Sequence, residues 1–571
     1  MQPSCAKSRP HVCGRQGGHD LFKQSLGGLK MRKFALSAAM SAALVLGVAG
    51  VAQAADMSIP TKAPPPASTS CTNFWDFITT ACPLTWYGVT LYGTVDMGGT
   101  YQTHGSPFDP NFPTGASYLL GAGGGGATNR TAGFGWAPNG LSQSNIGIKV
   151  IEPIAPGGWS FISQNELAFD PYSLLLSNAP QAMQNGIGVP QNLQALPYDS
   201  SRWGWLAATN VIGFSQPVFG TVTFGRQNSL LNDSLAVYDP MSASYAFAMI
   251  GYSGKYAGAG GTEEARWTTG IKYRVNVGDF RFAVMGQPMA GSDGGYNTYN
   301  PNNGAVAGQI GSDIKNLGPG IFSWDVVGTW ERDAVNITAT YPGQLTVAGW
   351  PTTFPGGPAG SGLKATLFNS ASVVALAKYS FGSWAPTAPV VGKAPPAPSG
   401  IPLTLYAGYE HDRLSNPSDP QLGSFLDDGF TFNFVNAHAS ALSGNGTTIF
   451  NNAFNANCGS GGGCTDEIFQ FVWTGFKYGI TKDVNLLGAY YHEWQDTFVT
   501  DVAACNSLST ASGNSRCQGA MDAYSLVLDW QFLPKWDWYI GAMYSFAYGG
   551  IANGDITRNN LATTSGVRFR F

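Results

Sequence analysis

Few side chains in this sequence could do chemistry, so each can be asked what it would need around it. Beyond residue 54 there are four histidines, His104, His411, His438 and His492. His411 stands between Glu410 and Asp412, and His492 precedes Glu493. A hydrolase would set such a base beside an activated nucleophile or a group of metal ligands. Neither a G-x-S-x-G turn nor an H-E-x-x-H helix accompanies them. No catalytic residue is expected, and these pairs read as solvated groups near strand ends. Six cysteines follow residue 54 and fall into three close pairs: Cys71 and Cys82, Cys458 and Cys464, Cys505 and Cys517. None has CxxC spacing or a histidine beside it, so no metal or other cofactor is expected. Local disulfides in an oxidising compartment are the natural reading, with connectivity left open.

An oxidising compartment implies export, and the chain carries the signal for it. Arg32 and Lys33 follow Met31, Phe34 to Val51 is small and apolar, and Ala52-Gln53-Ala54 is an A-x-A cleavage site. Residues 31–54 are therefore expected to be a signal peptide that is removed. Residues 1–30 have no part in that signal, and translation is expected to start at Met31. Residues 55–86, with a Pro-rich stretch from Lys62 to Ala67, are expected to be an extended lead-in. Residues 87–571 should form one folded domain.

The elements that must position any site are strands. Val89, Leu91, Gly93, Val95 and Met97 alternate with Thr90, Tyr92, Thr94 and Asp96, a period of two with an apolar and a polar face. The same alternation runs through Arg266 to Val275, Leu403 to Glu410 and Tyr524 to Phe532, and short turns such as Asn276-Val277-Gly278-Asp279 separate successive strands. Long Gly-, Ser-, Asn- and Pro-rich segments intervene elsewhere. Charged residues are only 11% and aromatics reach 13%, while mean hydropathy is close to zero. Strands with lipid on one side and water on the other have this profile, because the two faces average out. A net charge of −4 with no basic run excludes nucleic acid as an expected partner. The fold class is thus all-β, a transmembrane antiparallel barrel.

Three motifs in order carry a family resemblance. Val89-Thr90-Leu91-Tyr92-Gly93-Thr94-Val95-Asp96 resembles the opening strand of Gram-negative general porins, V-T-L-Y-G-x-x-D. Gly220 to Gln227 is similar to the family's G-T-x-T-[FLY]-G-R-[QN] strand, which leads into the long third loop. Val567-Arg568-Phe569-Arg570-Phe571 resembles its terminal strand, whose last aromatics, here Phe569 and Phe571, signal to the barrel-assembly machinery. The segments around Trp75-Asp76-Phe77 and Cys82-Pro83-Leu84 look most like porins of the rhizobial, α-proteobacterial type.

The resemblance implies about sixteen strands, a homotrimer among outer-membrane lipids, and a third loop folded inward to narrow a pore for small hydrophilic solutes. It implies acids on that loop facing bases on the wall, a transverse field that filters solutes. By the family's spacing the acids are Asp233 and, chiefly, Asp239, while Ala243 stands where some relatives have a third. Arg266 is the expected basic group, eight residues before Arg274. Elsewhere the wall departs from the family, with Asn145, Ala208 and Thr94 at positions that are basic in relatives. Lys149 shares Asn145's face and could add a charge. Lys272 and Arg274 lie nearer the turn and should line the vestibule. Arg226 has outward parity, which would cost about 2–4 kcal/mol in hydrocarbon, so a subunit interface is expected to hold it. These substitutions imply weak cation preference. A substrate-selective channel, with aromatics such as Tyr238, Tyr245 and Phe247 along the lumen, is the nearest alternative. A plugged barrel serving as adhesin or structural protein, or a barrel enzyme, is further off.

Overall fold

The computed structural model describes residues 70–104, 132–174, 208–250, 266–288, 304–332, 336–340, 362–366, 369–383, 400–415, 466–497, 518–549 and 559–571. All lie within the unit Val51–Phe571. The expected signal peptide, Cys458, Cys464, Cys505, Cys517 and His438 lie outside the described residues.

In chain order the elements begin with a short helix α1 (Phe74–Thr79), then β1 (Leu84–Trp86), β2 (Val89–Gln102), β3 (Gly133–Pro138), β4 (Asn145–Ala155), β5 (Trp159–Ala168), β6 (Asn210–Gln216) and β7 (Gly220–Asn228). Helix α2 (Leu230–Tyr238) follows, with β8 (Arg266–Val277), β9 (Phe280–Pro288), β10 (Gly304–Leu317) and β11 (Gly320–Arg332). β12 (Asn336–Thr340) and β13 (Gly362–Thr366) pair only with each other. β14 (Asn369–Ser380), β15 (Leu403–Ser415), β16 (Glu467–Gly479), β17 (Val484–Gln495), β18 (Gly519–Leu533), β19 (Trp536–Gly549) and β20 (Asn559–Arg570) complete the chain.

Neighbouring strands of the sheet pair antiparallel, with β11 joined directly to β14, and β20 returns to β2 to close the sheet. β3 and β4 share one place: β3 pairs with Met97–Gln102 of β2, and β4 with Val89–Thr94. The result is a closed barrel of sixteen strands. Closure leaves no unpaired edge, the condition for a sheet to stand in hydrocarbon. The last residue takes part: Gly93 and Phe571 exchange backbone bonds of 3.0 and 2.9 Å.

Alternation sorts the side chains as the sequence implies. Ile212, Phe214, Phe224 and Val284 face outward and are exposed, while Thr221, Thr223, Asp325 and Glu410 face inward and are buried. Aromatic rings gather near both strand ends on the outside, for example Trp159 stacked on Phe219 beside two short turns, and Trp330 beside a long loop. Short connections share one end of the barrel with the C-terminus. Long connections share the other.

Residues 70–86 do more than lead in. A disulfide joins Cys71 to Cys82, the one expected pair that falls among the described residues. Inside it, Asn73 caps α1 by accepting from Asp76 N at 2.9 Å. A helix of six residues is marginal alone, and this one rests on the barrel's closing seam. Phe77 stands edge-on to both Phe569 and Phe571, with centroids 5.5 Å from each. Lys535, in the β18–β19 turn, donates to Phe77 O at 3.0 Å and Cys82 O at 2.8 Å. Trp536 Nε1 donates to Ile78 O at 3.1 Å. Trp86 pairs with Val89 across the turn Tyr87-Gly88, both at positive φ, and β1 thereby extends the sheet beside β2. The disulfide spans 11 residues, which limits the open chain by about 3 kcal/mol. Reduction, or Cys82→Ser, should therefore lower the temperature at which the barrel loses its compact mobility on detergent gels. An unchanged transition would show that the clasp adds nothing to closure.

Candidate functional site

The described part of the connection between β7 and β8, residues 229–250, stays inside the barrel. Ser229 caps α2, its hydroxyl accepting from Asn232 N at 3.2 Å, and Pro240 follows Tyr238 and Asp239 to end it. Leu230, Leu231 and Leu235 are buried. The segment then follows the inner wall strand by strand. Trp473 Nε1 of β16 donates to Tyr238 O at 3.2 Å. Tyr491 of β17 donates to Asp239 Oδ1 at 2.6 Å. Ser525 of β18 donates to Phe247 O at 2.6 Å, and the Phe247 ring meets Tyr539 of β19 edge-on at 6.1 Å. Ala246 N finally reaches Gly140 O at 2.9 Å, between β3 and β4. The loop thus runs around the lumen from β7 almost back to β2. Two glycines admit it. A Cβ on Gly475 would stand 2.6 Å from Pro240, and one on Gly541 would stand 2.9 Å from Phe247.

Both expected acids sit on this loop, and both are spent on fastening it. Asp233 is 5% exposed and forms ion pairs with Lys272, at 2.7 Å, and with Arg274. Asp239 is 1% exposed. Besides Tyr491 it accepts from Ala243 N at 2.7 Å. That bond holds a turn in which Ser242 and Ala243 both have positive φ. Burial pushes the Asp239 carboxyl up to about 6, against the opposing pull of its Tyr491 and backbone hydrogen bonds. Among the described residues of the loop, those left open are Ala236, Ser242 and, in part, Val237. The expectation of Asp239 as the chief acid of the aperture is corrected: a carboxylate that closes a turn and takes a tyrosine proton donor is turned into the wall.

The bases are also redistributed. Lys272 and Arg274, expected in the vestibule, are the groups that meet the loop. Arg266, expected to face the acids, instead donates Nε to Asn228 at 2.9 Å and lies 3.8 Å from Glu166. The cause is a bulge. Gly225 and Gln227 of β7 oppose Gly270 and Trp267 of β8, two steps against three. Alternation breaks there, so Arg266 loses the parity of Lys272, and Trp267, expected outward, is 0% exposed. Arg226 adjoins the same bulge. It is 4% exposed within the single chain, so it does not stand open for a neighbouring subunit. Lys149 lies on the inner face opposite Thr90 and Gln164, and Asn145 pairs with Thr94. Phe569 and Phe571 lie under Phe77.

A second set of charges went unforeseen. Arg281 of β9 bridges Asp313 at 2.7 Å and Asp325 at 3.0 Å, and donates to Tyr238 OH at 2.9 Å. Lys378 of β14 reaches Val237 O at 3.5 Å, its ammonium 5.2 Å from the Tyr238 ring centre. Alternation could place these groups inside, but not opposite α2. Tyr238, Tyr245 and Phe247, the rings that would have suited an aromatic slide, are buried against the wall. His492 pairs with Asp522 at 2.8 Å, across to β18, and faces away from Glu493.

The raised carboxyl of Asp239 sets a pH dependence. A carboxyl whose folded pKa lies above the unfolded 3.8 contributes stability that is full below pH 3.8 and is lost as pH rises through about 6. Wild type should therefore lose on the order of 3 kcal/mol relative to Asp239→Asn between pH 4 and 7. Chemical unfolding of both proteins across that range reads the difference, and parallel curves would contradict it.

The chain matches the family model described as Gram-negative porin over residues 37–567. No curated protein matches it. Among solved structures it is similar to an anion-selective porin from Comamonas acidovorans, at 12% identity and a TM-score of 0.44, over 85% of this chain and 99% of that one. It is also similar to OmpT, an outer membrane protein of Vibrio cholerae, at 11% identity and a TM-score of 0.42, over 86% and 99%. A third similar structure is the outer membrane channel DcaP of Acinetobacter baumannii, at 12% identity and a TM-score of 0.41, over 85% and 97%. With a family match over nearly its whole length and a closed sixteen-stranded barrel, the chain belongs to the Gram-negative porins of the outer membrane.

Proposed function

We propose that this porin passes small hydrophilic solutes and ions by passive diffusion, with weak selectivity that leans toward cations. The observation that supports it is the third loop, held along the inner wall with small residues, Ala236 and Ser242, toward the lumen. A loop fastened in this way narrows a channel without plugging it. Weak selectivity follows from pairing. Asp233 is neutralised by Lys272 and Arg274, Arg281 by Asp313 and Asp325, and Asp537 by Arg568 and Arg570. Paired charges cancel within a few ångströms, and salt screens what is left beyond about 8 Å. The lean toward cations rests on the neutral residues Asn145, Ala208 and Thr94, which stand at wall positions that are basic in relatives. The working unit is a homotrimer in outer-membrane lipid, delivered by the assembly machinery that reads Phe569 and Phe571.

Recording in planar bilayers tests this reading. Wild type should give current steps in groups of three and a small reversal potential of cationic sign in a salt gradient. Asp233→Asn releases two cations toward the lumen and should lower the cation-to-anion permeability ratio roughly two- to threefold. Absence of steps, or strong anion selectivity in wild type, would overturn the proposal.

A further inference from the structure

A small cavity, about 100 Å³, lies beneath the C-terminal half of α2. Its walls carry Arg274, Arg281 and Lys378 together with Asp233, Asp313 and Asp325, under a roof of Val237 and Tyr238. Five of the six charged groups are committed to one another. Arg274 is held by Asp233, which also takes Lys272, and Arg281 is held between Asp313 and Asp325. Lys378 differs. Among the described residues it makes no ion pair; its partners are the Val237 carbonyl at 3.5 Å and the face of the Tyr238 ring. An ammonium has three donors, and a single bond at 3.5 Å engages one of them weakly.

We propose that Lys378 is the anion-reading residue of this channel, the centre of a subsite for the carboxylate of a small solute. The inference rests on the pore reading above and adds a substrate class to it. A carboxylate fits for three reasons. The acids of the cavity already have cations, so a solute cation finds no free partner there. The ammonium is directional in its unused donors, and Asn276 and Gln309 on the same walls supply further polar contacts. The volume equals the share of about three water molecules, enough for a carboxylate and a short stem. The neighbouring aperture residues, Ala236 and Val237, bring no negative charge that would repel such a solute.

The test uses potassium acetate as the probe, in planar bilayers, with wild type, Lys378→Gln, Lys378→Met and Lys378→Arg. Conductance of wild type should saturate with acetate concentration. The two neutral variants should lose saturation, and their acetate-to-potassium permeability ratio should fall roughly two- to threefold. Lys378→Arg should keep both properties. Two neutral variants are used because Lys378→Gln can still donate to the Val237 carbonyl and Lys378→Met cannot, so a change shared by both reports the charge and not the loop contact. A ratio unchanged in the neutral variants would overturn the subsite. So would equal falls for acetate and chloride without saturation in wild type, since that marks diffuse charge alone. Wild type that conducts no ions would instead overturn the channel reading on which the subsite rests.

Discussion

Hydrocarbon offers no partner to a peptide N–H, and every other feature of this molecule follows from that constraint. A sheet can satisfy it only by closing. Closure here depends on the seam where β20 meets β2, and the last residue of the chain bonds directly to Gly93. The seam is also where the molecule spends extra structure. A disulfide-closed loop lays α1 across Phe569 and Phe571, and Lys535 and Trp536 hold it from the neighbouring turn. The aromatic side chains that are expected to guide assembly therefore become packed once the barrel has closed.

Inside the barrel the opposite problem arises. A polar lumen could hold its third loop in many ways, and a wandering loop would give a wandering aperture. The chain solves this by placing a polar or aromatic anchor from the loop on one inner strand after another. Buried charges are tolerable only when paired or hydrogen-bonded, and Asp233 and Asp239 meet that condition in different ways. Asp233 has two cations. Asp239 has a phenol and backbone amides, but no cation among its described partners, so burial pushes its carboxyl upward against those hydrogen bonds. The described part of the loop thus leaves small neutral side chains open, while the acids that the family pattern points to act as fasteners.

Much of the architecture was legible in the sequence. Period-two alternation marks β2, β8, β15 and β18, and it correctly assigns Thr90 or Asp96 to the inside and Met97 to the outside. What it lacks is a signal for a bulge. The extra residue between Trp267 and Gly270 leaves each local pattern intact yet shifts the alternation above it, so Trp267, expected outward, is buried, and Arg266 reaches the inward Glu166 rather than the loop acids. The site was less legible still. Spacing within the loop identifies Asp233 and Asp239, but the partner that decides whether a carboxylate faces water or wall is Lys272, Arg274 or Tyr491, and Tyr491 lies 252 residues from Asp239. Period two states the face on which Tyr491 and Lys378 stand. It carries no information about which stretch of loop arrives opposite them.

The central claim is that the third loop presents Ala236 and Ser242 to the lumen and turns Asp239 into the wall. Single cysteines at these three positions, challenged with a charged, water-soluble thiol reagent during bilayer recording, test it most directly. Ala236→Cys and Ser242→Cys should react, each with a stepwise fall in conductance, while Asp239→Cys should stay unreacted. Rapid block at Asp239→Cys with no effect at the other two would contradict the account.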